Sequence, residues 1–483
     1  LFCEAGIDAC AEGVGLDGGE IFFCKVNGIN LACGDTTAQI GHAHCEPFFH
    51  FTSLFAAFKT TVAAFCCMDN PAGSGIVKHM TYDSDIAIVG GGLNGPVLAL
   101  ALAARGRRVS IIDAQPETVR ANAAFDGRAY ALAFASIRLL QRLGLWNKVS
   151  EHAQPMNEIK ASDGRAGQGP APFFLHFERG ELEEGPMGHM LEDRYLRRAL
   201  LEAVAAHQGI ETIEGKVVSQ EVNDSGAWLT LASGDVHSTR LIVGADGRAS
   251  GTAERARIRR TGWEYGQTAL VCAIAHEKPH NGIAHQFFMP EGPLAILPLP
   301  GNRSSIVWSE RSERANGIND LSDSDYLEVL RPRFGDFLGE IKLDGKRFAY
   351  PLKLTIANSF IEQRLALVGD AAHGMHPIAG QGLNAGLRDV AALAHVIEHA
   401  EQRGEDFASQ LVLERYQSWR RFDTATLAAT TDLTNKLFSN DNPILRAGRD
   451  LGMGLINAMP GVKRGFMREA AGLNGDLPDL MQL

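Results

Sequence analysis

The chain has 483 residues and a formal net charge of −11, from 46 Lys and Arg against 57 Asp and Glu. That length allows two or three domains around large buried cores, and the 45% hydrophobic, 21% charged composition is that of a globular protein. The acidic balance excludes the broad basic face that a nucleic-acid partner needs, while leaving room for a local basic patch on a membrane surface.

Residues 1–79 stand apart from the rest of the chain. They begin with Leu1, hold nine of the 24 Phe, and show no sustained helical or strand period. Seven of the eight cysteines lie here: Cys3, Cys10, Cys24, Cys33, Cys45, Cys66 and Cys67. With His42, His44 and His50 they lack the two-pair spacing of a zinc site, so no metal is expected. The stretch 48–68 is apolar, but Lys59 at its middle costs roughly 2.5–3.5 kcal/mol on insertion scales. No basic start precedes an apolar core in the manner of a secretory signal. The segment reads as a foreign or disordered leader, with Met80 as the natural start. From Met80 onward Cys272 stands alone, so that part cannot form an internal disulfide, which fits a reducing compartment. A flavin disulfide reductase, which needs a cysteine pair, is thereby excluded.

Regular patterning begins after Met80. A short apolar strand is predicted over 85–89, a helix over 94–105 and a second strand over 108–113. Helical spacing over 128–143 ends at Gly144. Residues 154–177 are rich in Gly, Pro and Ala and read as loop plus insertion, followed by a helix over 192–207. Strand-like runs occupy 216–222, 227–231 and 238–243. Further strands at 269–276, 284–288 and 304–309, separated by Pro and Gly turns, imply an antiparallel layer. A strand at 365–368 leads through a Gly-Asp turn to a helix over 381–401. Most of 407–438, then 443–458 and 461–472, are also helical.

This order predicts an α/β fold: a Rossmann-like, three-layer nucleotide-binding domain interleaved with an antiparallel β-sheet substrate domain, plus C-terminal helices. The nucleotide domain is assembled from 80–153, 191–260 and 356–405. An insertion belonging to the substrate part spans 154–190, the antiparallel sheet 261–355, and the helices 406–483.

Gly90-Gly91-Gly92-Leu93-Asn94-Gly95 matches G-x-G-x-x-G between a strand and an Ala/Leu-rich helix. Gly90 permits the tight turn, Gly92 the approach of a pyrophosphate, and Gly95 the packing of helix on strand. Asp113, 18 residues after Gly95, ends the next strand where a carboxylate binds an adenosine ribose. Pro96 sits in the first helical turn, where its missing N–H costs nothing. The same pattern at Gly13-Val14-Gly15-Leu16-Asp17-Gly18 has no strand before it. The motif alone does not distinguish NAD from FAD.

The run Gly369-Asp370-Ala371-Ala372-His373, then His376-Pro377-Ile378-Ala379-Gly380-Gln381-Gly382-Leu383-Asn384, places a carboxylate at a strand end and glycines at a helix start. Such a start offers unpaired N–H groups and the positive end of a dipole. This run resembles the flavin-binding segment of single-component FAD-dependent aromatic hydroxylases, and in particular the branch that hydroxylates ubiquinone precursors. The resemblance extends from about residue 83 to the C-terminus, through Tyr265-Gly266-Gln267-Thr268-Ala269, the run 292–299 and the tail 466–473, and is nearest to 2-polyprenyl-6-methoxyphenol hydroxylases.

It implies noncovalent FAD, with Asp370 on ribityl or sugar hydroxyls and Pro377 bordering the ring. The backbone N–H groups of Gly382, Leu383 and Asn384 then face the charge of reduced flavin, with Gly369, Gly380 and Gln381 completing the loop. Arg128, in Phe125-Asp126-Gly127-Arg128-Ala129-Tyr130, and Arg194, in Glu192-Asp193-Arg194, are implied FAD contacts. Asp246, in Gly244-Ala245-Asp246-Gly247-Arg248-Ala249-Ser250, is a third. The arginine usual three residues after Ser250 is replaced by Ala253, with Arg255 the nearest, which puts pyridine-nucleotide docking in question. The implied reaction inserts one oxygen atom of O₂ into a polyprenylated phenol, through a flavin C4a-hydroperoxide. The electrons come from NADH, NADPH or an electron-transfer protein.

The implied setting is the cytoplasm with peripheral contact at the inner membrane, within a ubiquinone-biosynthesis complex. His285, Tyr265 and His376 are candidate phenol-deprotonating groups, and none is named as the catalytic base. Two readings of the same nucleotide fold stay beside this one: an FAD-dependent reductase of isoprenoid double bonds, and a flavin protein without turnover. A hydroxylase acting at a different ring position also shares these motifs. A chain starting at Met80 is expected to bind FAD and keep full activity, measured by flavin absorbance and substrate-coupled O₂ uptake. An inactive truncation rescued by restoring residues 1–79 would show the leader to be needed.

Overall fold

The computed structural model describes the strands within residues 11–34, and then residues 81–167, 169–181, 185–439, 452 and 454–482. The chain divides into two units, Leu1–His79 and Met80–Leu483. In the first, Ala11–Leu16, Gly19–Val26 and Ile29–Gly34 form an antiparallel three-stranded sheet. This corrects the expectation of no strand pattern there: apolar runs without a clear period pair with one another across the sheet. Gly13 and Gly15 lie inside a strand, not after one. The apolar stretch 48–68 lies outside the described residues.

In the second unit a parallel sheet is built in the order Ile210–Glu214, Val109–Asp113, Ser84–Val89, Val236–Gly244. Along its far edge Val236–Gly244 pairs with two partners in succession. Residues 236–239 take the antiparallel Ala227–Leu231, and 242–244 take the parallel Leu365–Leu367. Val217–Val222 completes the antiparallel meander. The strands at Ser84–Val89 and Val109–Asp113 are near-continuous apolar runs, as expected of strands buried on both faces. Their side chains share one core with the helices Asn94–Ala103, Phe134–Arg142, Asp193–Ala205 and Gln381–Gln402. Asn94–Ala103 is apolar almost all round because both its faces are covered.

A nine-stranded sheet forms the second layer. Its central strand, Arg260–His276, pairs antiparallel with Arg303–Arg311 on one side and with Phe348–Ala357 and Ile341–Leu343 on the other. Leu294–Leu299 and Ile283–Phe288 extend it. The helices Ser312–Asn319 and Asp323–Phe334 cover one face around Trp308, Tyr326 and Phe334.

Two expectations are corrected. Residues 154–177 are not loop: Glu158–Arg165 and Gly169–Glu178 join the far edge of the nine-stranded sheet, the first pairing parallel with Ile283–Phe288. Gly169–Glu178, with Pro170 and Pro172, is the edge strand, which need not satisfy a partner on both sides, and Glu158–Arg165 is paired on both. Residues 128–143 are not one helix either. Ala129–Ala133 is a strand pairing with Gly188–Glu192, and only Phe134–Arg142 is helical. The alternating Ala-Tyr-Ala-Leu-Ala run satisfies either period, and cross-strand pairing decides it. The predicted helix over 443–458 lies largely outside the described residues. The long helix Gln410–Phe438 and the shorter Pro460–Ala470 form as expected. Among the described residues no helix is long and apolar enough to cross a membrane.

Candidate functional site

The parallel strands run in register at their carboxyl ends, with Val89 opposite Ile112 and Gly244 opposite both Val89 and Leu367. The loops after them therefore converge, bringing Gly90, Asp113, Asp246, Gly369 and Asp370 to the edge where open α/β sheets bind ligands. Close approach dictates glycine here. A Cβ on Gly90 (φ +114°) would overlap the Ala245 carbonyl, and one on Gly95 the Gly90 carbonyl. A Cβ on Gly369 would overlap the Asn94 side chain. By contrast, a Cβ on Gly92 or Gly382 would meet no protein atom within 4 Å. These two open positions adjoin the helix starts at Asn94 and Gln381, whose first N–H groups have no side-chain cap. Free space beside uncapped amide donors suits a diphosphate at the first helix and an anionic ring edge at the second.

Asp113 holds the glycine turn, accepting from the Gly91 N–H and from the Gln115 N–H (2.7 Å), with carboxylate lone pairs to spare for a ribose. Asp246 is taken up by its own turn. Its Oδ2 accepts from the Thr252 N–H (2.9 Å) and hydroxyl (2.8 Å), and its Oδ1 from Ser250. The same motif reaches Asp370 through Arg248, whose Nε lies 2.9 Å from Asp370 Oδ2. Arg255 donates to the Val217 carbonyl and to Gln220, so it bolts the Asp-Gly turn to the meander.

Of the two predicted arginines, Arg128 immediately precedes the strand Ala129–Ala133, and Arg194 lies in the first turn of the helix Asp193–Ala205 that follows its partner strand Gly188–Glu192. Arg128 is bound to Asp126 and, at 3.3 Å, to Asp193. Burial opposes its charge, but the hydrogen bond it donates to Asp126 and the nearby Asp193 carboxylate hold the guanidinium above its ordinary pKa. Asp193, nearly inaccessible, also accepts from the Tyr130 hydroxyl (2.8 Å) and from Arg197 Nε (2.7 Å). Arg194 pairs with buried Glu192 at 2.7 Å and lies over the Phe125 and Tyr195 rings, while Arg303 reaches the other Glu192 oxygen at 2.8 Å.

The loop before the long helix is seated on strand Ala129–Ala133. Asn384 Oδ1 accepts from the Ala133 N–H (2.9 Å) and the Ser136 hydroxyl (2.8 Å), and its Nδ2 donates to the Ala131 carbonyl (2.8 Å). Pro377 starts the 3₁₀ turn Ile378–Gly380, closed by Gly380 N–H on the Pro377 carbonyl at 3.0 Å. Gly380 itself takes φ +64° against Ala131, Leu383 packs on the main core, and the Gln381 amide reaches the Ala470 carbonyl at 3.5 Å. Beneath this loop Asp389 is fully buried, accepting from the Gly369 N–H (2.9 Å), His373 Nε2 (2.6 Å) and Arg420 Nε (2.8 Å). Burial disfavours its charge, but His373 and Arg420 overcome this and hold its pKa below the usual value. His373 thus serves as a buried support.

His376, one residue before Pro377, is buried with both ring nitrogens unpartnered, and its ring stands edge-on to Tyr265 at 5.0 Å. The Tyr265 hydroxyl is likewise buried, with Asp432 beside it. Burial lowers the His376 pKa to about 4, with Asp432 opposing, and burial raises that of Tyr265. His285 stands apart, among Phe287 and Phe337.

The comparisons with known proteins agree with this geometry. The FAD binding domain family matches residues 83–430. Ubiquinone hydroxylase UbiL of Rhodospirillum rubrum is 43% identical over 419 residues, covering 86% of this chain and 96% of that protein. The chain belongs to the FAD-dependent hydroxylases of ubiquinone biosynthesis. A second relative, 3-demethoxyubiquinol 3-hydroxylase of Escherichia coli, is 34% identical, covering 81% and 99% of the two chains. The crystal structure of p-nitrophenol 4-monooxygenase PnpA from Pseudomonas putida shares the fold, with TM-score 0.67 and 20% identity over 81% of this chain and 98% of that one. The protein is therefore an FAD-dependent monooxygenase, using O₂ and a reduced electron donor.

Residues that sequence reasoning missed are the acids beneath the site. Glu192 and Asp193 precede Arg194 directly, yet only the arginine was given a role, and Asp389 lies just past the glycine-rich run. Arg303 and Arg420 carried no local signal.

Gly92→Val should leave the protein folded but largely free of FAD, because the added methyls enter space that no protein atom occupies. Gly95→Ala should instead destabilise the fold itself by about 1–3 kcal/mol, since its Cβ meets backbone. Thermal unfolding and the flavin-to-protein absorbance ratio separate the two.

His376 also predicts a pH effect. Its folded pKa of about 4 lies below the ordinary 6.5, so the unfolded imidazole takes a proton that the folded one refuses. The resulting stability is complete above about pH 6.5 and falls as the pH drops toward 4. In His376→Phe the melting temperature should decline less steeply across that window. An unchanged slope would show that His376 is not the group responsible.

Proposed function

We propose that this chain hydroxylates the aromatic ring of a polyprenylated phenol on the route to ubiquinone. The match to a ubiquinone hydroxylase over 96% of its length carries the reading. Bound FAD supplies reduction by the donor and activation of O₂. The protein residues bind, orient and exclude water. Gly92 and the helix start at Asn94 would take the diphosphate, Asp113 and Asp370 hydroxyls, Arg128 the diphosphate or the ring edge, and Arg194 a second FAD contact. The N–H groups of Gly382, Leu383 and Asn384 hold negative charge on the reduced ring. His376 offers the phenol a neutral imidazole whose nitrogens make no hydrogen bond to the protein, with the Tyr265 hydroxyl close by. A neutral His376 can accept a hydrogen bond from the phenol hydroxyl and so orient it.

A long isoprenoid tail needs an apolar approach. Leu455, Met459, Val462 and Phe466 are all exposed, and they recur at helical spacing beside Arg464 and Arg468. That pattern supports rest on an anionic lipid surface at the membrane. NADH, NADPH and a protein reductant each remain compatible with the chain, as does membership of a biosynthetic complex.

Deleting the gene and analysing quinone intermediates tests the proposal. Accumulation of a prenylated phenol lacking one hydroxyl is expected and would name the ring position. Normal ubiquinone without such an intermediate, in a host with no redundant hydroxylase, would overturn it. Substrate-coupled O₂ consumption by the purified protein excludes a double-bond reductase.

A further inference from the structure

At the far end of the helix that opens on the flavin loop, two imidazoles and one carboxylate converge. His395 and His399 are four residues apart on Gln381–Gln402 and so share a face. Their rings stack at 4.0 Å, 18° from parallel. Asp479 comes from the C-terminal 3₁₀ turn Asp479–Met481. A single oxygen of it, Oδ2, lies 3.1 Å from His395 Nδ1 and 3.2 Å from His399 Nε2.

We propose that His395, His399 and Asp479 form a binding site for a zinc-class divalent transition metal, one that fastens the C-terminal segment to the flavin helix. Four-coordinate zinc with ligands at about 2.0–2.1 Å places neighbouring ligand atoms about 3.3 Å apart. The two observed N···O separations are already close to that edge length, and all three donor atoms lie within 4.8 Å of one another. His395 Nδ1 is buried and faces Asp479 Oδ2, the same oxygen that His399 Nε2 faces. Two imidazoles with one carboxylate favour zinc, nickel, cobalt or copper over magnesium or calcium, which prefer all-oxygen shells. Three protein ligands leave a fourth position for water.

The consequence is mechanical. Leu477, Leu480 and Met481 flank Asp479 and pack on the main core, Met481 being buried within it. Trp419, edge-on to His395 at 5.1 Å, donates through Nε1 to the Asp476 carbonyl at 3.2 Å. A metal at this point would join the tail, the flavin helix and Gln410–Phe438 in one cluster.

The test uses the full FAD-loaded chain, stripped of metal with a chelator and titrated with Zn²⁺ against a chromophoric chelator at about pH 7.5, where imidazoles are largely neutral. Cysteines and histidines elsewhere in the chain are controlled by difference. The wild type should take up one equivalent more than His395→Gln/His399→Gln, and Asp479→Asn should bind that equivalent at least tenfold more weakly. Zn²⁺ should also slow amide hydrogen exchange in residues 476–482 of the wild type and leave the double variant unchanged. Equal uptake by wild type and both variants would overturn the site, as would zinc that binds without altering exchange in the tail. Should the double variant not fold, Asp479→Asn decides alone.

Discussion

The carboxylate of Asp389 sits in full burial, where an unpaired charge would cost several kcal/mol. Three donors compensate it, and each comes from a different part of the site: the Gly369 N–H from the strand-end turn, His373 from the loop after it, and Arg420 from the second long helix. Arg420 is itself steadied by Asp423 at 2.6 Å. Because losing any one partner strands the charge, at a cost of about 3–5 kcal/mol, these three segments cannot shift independently. The loop carrying His376, Pro377 and Gly380 spans between two of them. Its upper side is fixed by Asn384 on the Ala129–Ala133 strand. The amides at Gly382–Asn384 thus belong to a helix start clamped on both sides, which is what electrostatic preorganisation requires.

The two acidic residues beneath the predicted arginines work by the same logic. Glu192 and Asp193 are consecutive, yet Glu192 holds Arg194 and Arg303 while Asp193 holds Arg128 and Arg197. One strand-to-helix junction therefore orients side chains from the nucleotide domain and from the antiparallel sheet. The interleaving of the two domains along the chain is matched by ion pairs crossing between them.

What the sequence made legible were features fixed by local sterics. The glycine pattern at 90–95 could be read because backbone contacts there exclude a Cβ, and Asp113 because a strand period ends on it. The loop at 369–384 was legible through its resemblance to a family, and the structure supplies the physical reason in the open positions at Gly92 and Gly382. Illegible were features decided by distant partners. The Ala129–Ala133 strand exists because Gly188–Glu192 lies beside it, and the strands over 158–178 because a sheet edge was there to receive them. That Asp246 closes its own turn through Ser250 and Thr252 carries no signal in the motif. The i, i+4 pair of His395 and His399 was visible in the sequence, but Asp479 lies 80 residues from His399 and nothing local links them.

The edge of Val236–Gly244 is shared by two strands, one arriving immediately before it in the chain and the other more than a hundred residues later. During synthesis the first half of that edge can close as soon as residue 244 emerges. The second half, on which the Gly369–Asp370 turn depends, has to wait for the whole antiparallel sheet to be made. Contacts of such long sequence separation form late. Until then, the G-x-G-x-x-G turn and Asp113 present only half a binding site to free flavin. Cofactor capture is thereby reserved for a chain that has been almost completely translated, and the flavin becomes a reporter of finished assembly.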